Sequence, residues 1–245
     1  MRGVTMLLAG LLLAGAGSVL AAPDAQTLLR RSDLARGGDL PGLAWEVRLV
    51  NTGSGSDGEP PMRVAVSATR VASLAEVIEP QSNRGSKMLQ VDRNMWLMKP
   101  GLKKPVAISP RLRLTGEAAI GDIAATNYAK DYRATLLREE AVDGEPCYVL
   151  DLKSANKQST YDKIVYWVSA ARLVGVRAQF FSLSGKLLKS ATFQYDNTVQ
   201  AGDQRIAFVS AMQIDDALTD ARTTLKYSKL RVKAFADAEF QPDNL

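Results

Sequence analysis

The chain has 245 residues, a net charge of +5, one cysteine and no histidine. A lone cysteine excludes an internal disulfide. The missing imidazole removes the commonest general base and the commonest transition-metal ligand, so acid–base catalysis, cofactor chemistry and zinc chemistry are not expected.

Met1 and Arg2 precede an apolar run from Val4 to Leu20 that ends in "SVLAAP". A basic start, an apolar centre and small residues at the end read as a secretory signal peptide over residues 1–21, cleaved after Ala21 or Ala22. No cysteine stands near that point to carry a lipid, and no later stretch is long and apolar enough to span a bilayer. The expectation is an exported, soluble, monomeric protein whose residues 22–245 form one domain, since no linker or repeat divides them.

"PDAQTLLRRSDLARGG" reads as a helix, capped by Asp24, striped by Leu28, Leu29 and Leu34, and ended by Gly37 and Gly38. From "LAWEVRLVN" the apolar period becomes two, with Leu43, Trp45, Val47 and Leu49 on one face. After the polar loop "TGSGSDGEPP", alternation resumes at Met62, Val64 and Val66, and short strands follow at "KMLQV", "NMWLMK" and "PVAIS". "TGEAAIGDIAATNYAKDY" lacks alternation and reads as a loop with one or two helical turns lying over one side of a sheet. Strands return at "RATLLREEA", "CYVLDLKS", "DKIVYWVS", "LVGVRAQFFS", "LLKSATFQYD", "QRIAFVSAMQID" and "TTLKYSKLRVK". Ten or eleven strands at this spacing indicate a mainly β protein with a few helices, built on an antiparallel sheet or barrel.

Several motifs suggest chemistry without its context. Gly53, Gly55 and Gly58 fit a dinucleotide fingerprint, but Pro60, Pro61 and a strand follow where a helix is required. Ser154 and Lys157 form an S-x-x-K without its partner motifs. The acidic pairs Glu139–Glu140 and Asp215–Asp216 lack calcium-loop spacing. Cys147, in an apolar strand pattern, reads as a buried thiol. No nucleic-acid-binding motif is present, and the mild basic balance suits acidic membrane surfaces or acidic partners.

The order of elements and "KMLQVDRNMWLMKPGLKKPVAIS", "IGDIAATNY", "YRATLLREEAVDGEPCYVLDL" and "DAEFQPDNL" resemble the LolA/LolB-like superfamily, in particular its outer-membrane lipoprotein-sorting branch. That resemblance implies a sheet curled into an incomplete, half β-barrel closed by a helical lid over an apolar cavity. It also implies a periplasmic carrier or chaperone of lipidated protein or lipid, with an inner-membrane RND/MMPL-type exporter as donor, an outer-membrane acceptor and transient membrane-surface contact. Relatives place a basic residue before a proline ahead of the aromatic strand to hold the lid, whereas here Glu79 precedes Pro80.

Within this frame the expected cavity residues are Trp45, Met88, Trp96, Met98, Ile108 and Phe180, and the expected docking cations are Lys103, Lys104, Arg111 and Arg113. Alternation puts Trp96 and Met98 on one face, taken as the cavity face, opposite Met95, Leu97 and Lys99. The same residues would equally fill an ordinary core. Two rival functions are an RseB-like binding or sensing module and an enzyme. The enzyme would need a polar cluster inside the cavity, and none is visible in the sequence.

Overall fold

The computed structural model describes residues 24–245 except 39, 57, 125 and 126, so the leader expected at residues 1–21 lies outside the described residues. Helix α1 (Ala25–Leu34) starts where Asp24 accepts a hydrogen bond from the Thr27 amide at 2.8 Å. It ends at Gly37, whose φ of +92° suits a residue without a side chain, and the Gly38 amide bonds back to the Asp33 carbonyl.

The chain then builds one edge of a sheet as a meander. It runs through β1 (Leu43–Thr52), β2 (Met62–Ala68), β3 (Ala72–Glu79), β4 (Lys87–Val91), β5 (Asn94–Met98) and the two-residue β6 (Val106–Ala107). A crossing segment carries the small hairpin β7 (Arg113–Thr115) and β8 (Ala118–Ala119), then α2 (Ile120–Ala124) and α3 (Tyr128–Asp131). The other half is a second meander: β9 (Tyr132–Val142), β10 (Glu145–Ser154), β11 (Lys163–Ser169), β12 (Gly175–Phe181) and β13 (Leu187–Gln194). The hairpin β14 (Asn197–Ala201) and β15 (Gln204–Phe208) follows, and then β16 (Ala211–Asp216) and β17 (Arg222–Val232).

Thirteen of these strands form one antiparallel sheet in the order β6-β5-β4-β3-β2-β1-β17-β16-β13-β12-β11-β10-β9. It does not close, because β6 and β9 remain edges. One side of every long strand contributes to a single apolar core with α1, α2 and α3, including Leu29, Val47, Val64, Leu150, Tyr166 and Met212, β9 through Tyr132 at its start. The architecture is thus the expected half-barrel covered by helices. The strand count exceeds the expected ten or eleven, because β3 separates from β2, the short β7 and β8 form in the crossing segment, and β14 precedes β15. In addition "QRIAFVSAMQID", read as one strand, breaks at Val209–Ser210 into β15 and β16. Val199 and Phe208 of the β14–β15 hairpin join the main core.

The tail after β17 folds back over the outer face of β3 and β4. Phe240 is buried there against Ala72 and Leu89, with Trp96 and Phe235 packed beside them. Cys147 is buried in a separate outer cluster with Val149, Val165 and Trp167, and burial pushes its thiol pKa up.

Candidate functional site

The crossing segment, described over residues 108–124 and 127–131, lies between the two edges of the sheet, from the end of β6 to the start of β9. At its start the Ile108 amide donates to the Met95 carbonyl at 2.9 Å, and at its end α3 runs directly into β9. Beneath it, on the β2–β5 side, lies a crevice of about 90 Å³. Met62, Val77, Met88 and Leu97 form the sheet wall, and Leu112, Leu114 and Ile120 form the roof. Asn83, Ser86, Lys99 and Arg113 complete the lining, and no carboxylate among the described residues lines the crevice.

The roof is held down by three groups of contacts outside the apolar crevice. Arg111 makes paired hydrogen bonds to the Asp162 carboxylate at 2.9 and 2.8 Å and a third to the Ser159 carbonyl at 3.0 Å. The Arg111 guanidinium in turn holds the Asp162 carboxyl below its usual pKa. Asn51 at the end of β1 donates to the Thr115 hydroxyl at 2.8 Å, and the Thr223 hydroxyl on β17 accepts from the Glu117 amide at 2.7 Å. Finally, Asp122 of α2 is buried against Lys189 of β13 at 3.1 Å, accepts from the Tyr161 hydroxyl at 2.6 Å and accepts from the Ala119 amide at 2.8 Å. Burial, reinforced by Asp122, pushes the Tyr161 hydroxyl pKa well up, so it stays a donor. Gly121 permits this docking, since a Cβ there would sit 2.0 Å from the Thr160 hydroxyl oxygen.

The β9–β16 side is filled. Tyr128, Tyr132, Tyr166 and Phe193 stack edge to face at centroid separations of 5.6–6.1 Å. Arg36 lies 4.1 Å over the Tyr128 ring. Asp33 accepts from the Tyr128 and Ala129 amides at 3.0 and 2.8 Å, and burial raises its carboxyl pKa to about 7.

The expected cavity residues therefore separate. Met88 alone lines the crevice. Trp45 and Phe180 are buried in the filled core, Trp45 against Phe208 and Phe180 against Tyr161. Ile108 is half-buried at the start of the lid. Trp96 and Met98 do share a face, but it is the outer one: Trp96 packs on the cluster of Leu89 and Phe240, whereas Met95 and Leu97 face the main core. The inversion follows from register. The two-residue turn Asp92–Arg93 pairs Met88 with Leu97 and Leu89 with Trp96, so Met88 and Trp96 cannot share a face.

Of the expected docking cations, Lys103 and Lys104 are exposed in the loop after β5. Arg111 is committed to Asp162, and Arg113 is 72% exposed with Glu117 at 3.8 Å. Glu79 reaches Arg63 at 2.9 Å, not the lid. The polar groups at Asp122, Lys189 and Asp33 were missed in the sequence. Asp122 meets Tyr161 and Lys189 from 39 and 67 residues away, and Asp33 meets amides 95 and 96 residues away, so no local spacing announces them.

Comparison with known proteins places this geometry. A family model described as an uncharacterized protein family matches residues 69–245. No curated protein matches the sequence. The crystal structure of a LolA superfamily protein from Nitrosomonas europaea superposes with a TM-score of 0.82 at 30% identity, covering 91% of this chain and 100% of that one. A putative outer membrane lipoprotein-sorting protein domain from Vibrio parahaemolyticus gives 0.75 at 21%, over 89% and 97% of the two chains. A DUF1329 family protein from Desulfovibrio piger gives 0.73 at 21%, over 89% and 96%. The last two share the fold. The first, at 30% identity over its whole length, shows that this chain belongs to the LolA superfamily.

Proposed function

We propose that the protein is a soluble periplasmic carrier of acyl chains, either of a lipidated protein or of a free lipid. It would take cargo from an inner-membrane RND/MMPL-type exporter and deliver it toward the outer membrane. The observation that carries this reading is the apolar crevice between β2–β5 and the roof of the crossing segment. An apolar cavity of about 150 Å³ holds little more than one benzene ring. At about 90 Å³ the crevice cannot take an acyl chain while the roof is in place. Cargo entry therefore requires the roof to lift, and the polar anchors set the cost of lifting it. At the rim Lys99, with Arg113, whose guanidinium also has Glu117 at 3.8 Å, favours cargo with an anionic end over a neutral hydrocarbon.

The test is native mass spectrometry of protein purified gently from the periplasm, followed by extraction of any bound lipid. The reading expects a fraction carrying lipid-mass adducts that disappear on delipidation. Purely apo protein that also fails to bind a fluorescent fatty acid would reject it.

A further inference from the structure

The strands place one set of loops at a single end of the half-barrel. These are the β1–β2, β3–β4, β5–β6, β10–β11, β12–β13 and β16–β17 connections, together with the hairpin of the crossing segment. Nine large apolar side chains are exposed among the described residues, and six of them stand at this end: Leu102, Val106, Leu112, Leu183, Leu188 and Leu218. Leu183 and Leu218, 89% and 75% exposed, cap two turns whose strands β13 and β16 are paired neighbours. A recess of about 330 Å³ between Arg111, Arg113, Phe181 and Leu188 shows that the crossing segment and the β12–β13 hairpin meet there. Solvent-exposed leucine at adjacent loop tips is not explained by packing and marks an interaction surface.

The charges between these tips select the partner. Lys99, Lys103, Lys104 and Lys186 stand at the same end, are exposed, and make no ion pair among the described residues. Of the carboxylates nearby, Asp162 and Asp215 are neutralised by Arg111 and Arg222, whereas Asp216 and Asp220 beside Leu218 accept only from neutral donors and keep their charge, so the exposed lysines outnumber these unpaired acids four to two. Apolar tips interleaved with free lysines match a bilayer that presents anionic headgroups over hydrocarbon. We propose that this end is a membrane-contact face that seats Leu183 and Leu218 below the headgroups of an anionic bilayer, with the lysines at headgroup level. The crevice rim at Lys99 and Arg113 opens at the same end, so seating would bring it to the lipid. The inference goes beyond the carrier reading, and its assay contains no separate cargo.

The test is co-sedimentation of the purified protein with phosphatidylcholine vesicles, with and without phosphatidylglycerol. Binding should need phosphatidylglycerol and weaken with salt. Leu183→Asp and Leu218→Asp should each weaken it about tenfold or more. Neutralising Lys103 and Lys104 should cost about fivefold per lysine. Val71→Asp, at the opposite end, should bind like the parent. No binding to either vesicle type would overturn the proposal and return the leucine rim to a protein partner. Equal loss with Val71→Asp would overturn it too. Failure here with fatty-acid binding intact would leave the carrier reading standing.

Discussion

Arg111→Ala should tighten cargo binding although Arg111 touches no part of the crevice. Its guanidinium makes two charge-assisted hydrogen bonds to Asp162 and one to the Ser159 carbonyl, all tying the crossing segment to the start of β11. Both side chains are partly exposed, at 40% and 22%, so the pair is worth about 1 kcal/mol. If it exists only with the roof down, its removal lowers the cost of opening by about the same amount. The open population then rises about fivefold, and the apparent Kd for an acyl ligand falls by the same factor. Global stability should drop by no more than about 1 kcal/mol. The assay is titration with a fluorescent fatty acid, alongside hydrogen exchange of residues 108–124. Arg138→Ala is the control, since it breaks an ion pair to Glu140 remote from the roof. Unchanged or weaker binding in Arg111→Ala, with faster exchange in the segment, would refute the idea that roof opening limits cargo entry.

Three further outcomes follow from side-chain placement. Leu97→Ala should weaken fatty-acid binding, while Trp96→Ala should leave it intact and loosen the C-terminal tail, read as faster proteolysis after Lys233. Lys189→Met strands Asp122 in the core without its cation and should cost about 3–5 kcal/mol in urea unfolding. Adding Asp122→Asn should recover part of that loss, because asparagine still accepts from Tyr161. Asp33 binds its proton more tightly in the folded state, its pKa raised from 3.8 to about 7. Its contribution to stability is therefore greatest below about pH 4 and is lost as pH rises to about 7, on the order of 1.4 kcal/mol per pH unit at most. Asp33→Asn should flatten that part of the stability–pH profile, and identical profiles for the two proteins would remove the buried-acid assignment.

Much of the scaffold was legible because burial enforces periodicity. The capped helix at Asp24, the alternation of β1 and the turn residues that space the strands are local signals, and each was realised. The helical turns over the sheet were visible as a break in alternation around "IGDIAATNY". What local pattern could not give was the face. Trp96 was taken as inward together with Met98, on alternation and the adaptability of methionine, yet the tail brings Phe235 and Phe240 to the outer side and makes an apolar environment there. Hairpin arithmetic held the answer: a two-residue turn at Asp92–Arg93 sets Met88 opposite Leu97, and placing Met88 inside places Trp96 outside. The buried ion pair of Asp122 and Lys189 left no such trace. Its partners lie 67 residues apart, and only the bridging of the sheet edges brings them together.

The central claim, that the apolar wall beneath the crossing segment carries acyl chains, is tested most directly by a chain-length series. Saturated fatty acids of increasing length would displace a fluorescent fatty acid from the parent protein and from Met88→Ala. The account predicts that affinity rises with each added methylene by up to about 0.8 kcal/mol until the opened crevice is filled, and that Met88→Ala shifts the whole series to weaker binding. Affinity that does not change with chain length, or that is identical in Met88→Ala, would contradict it.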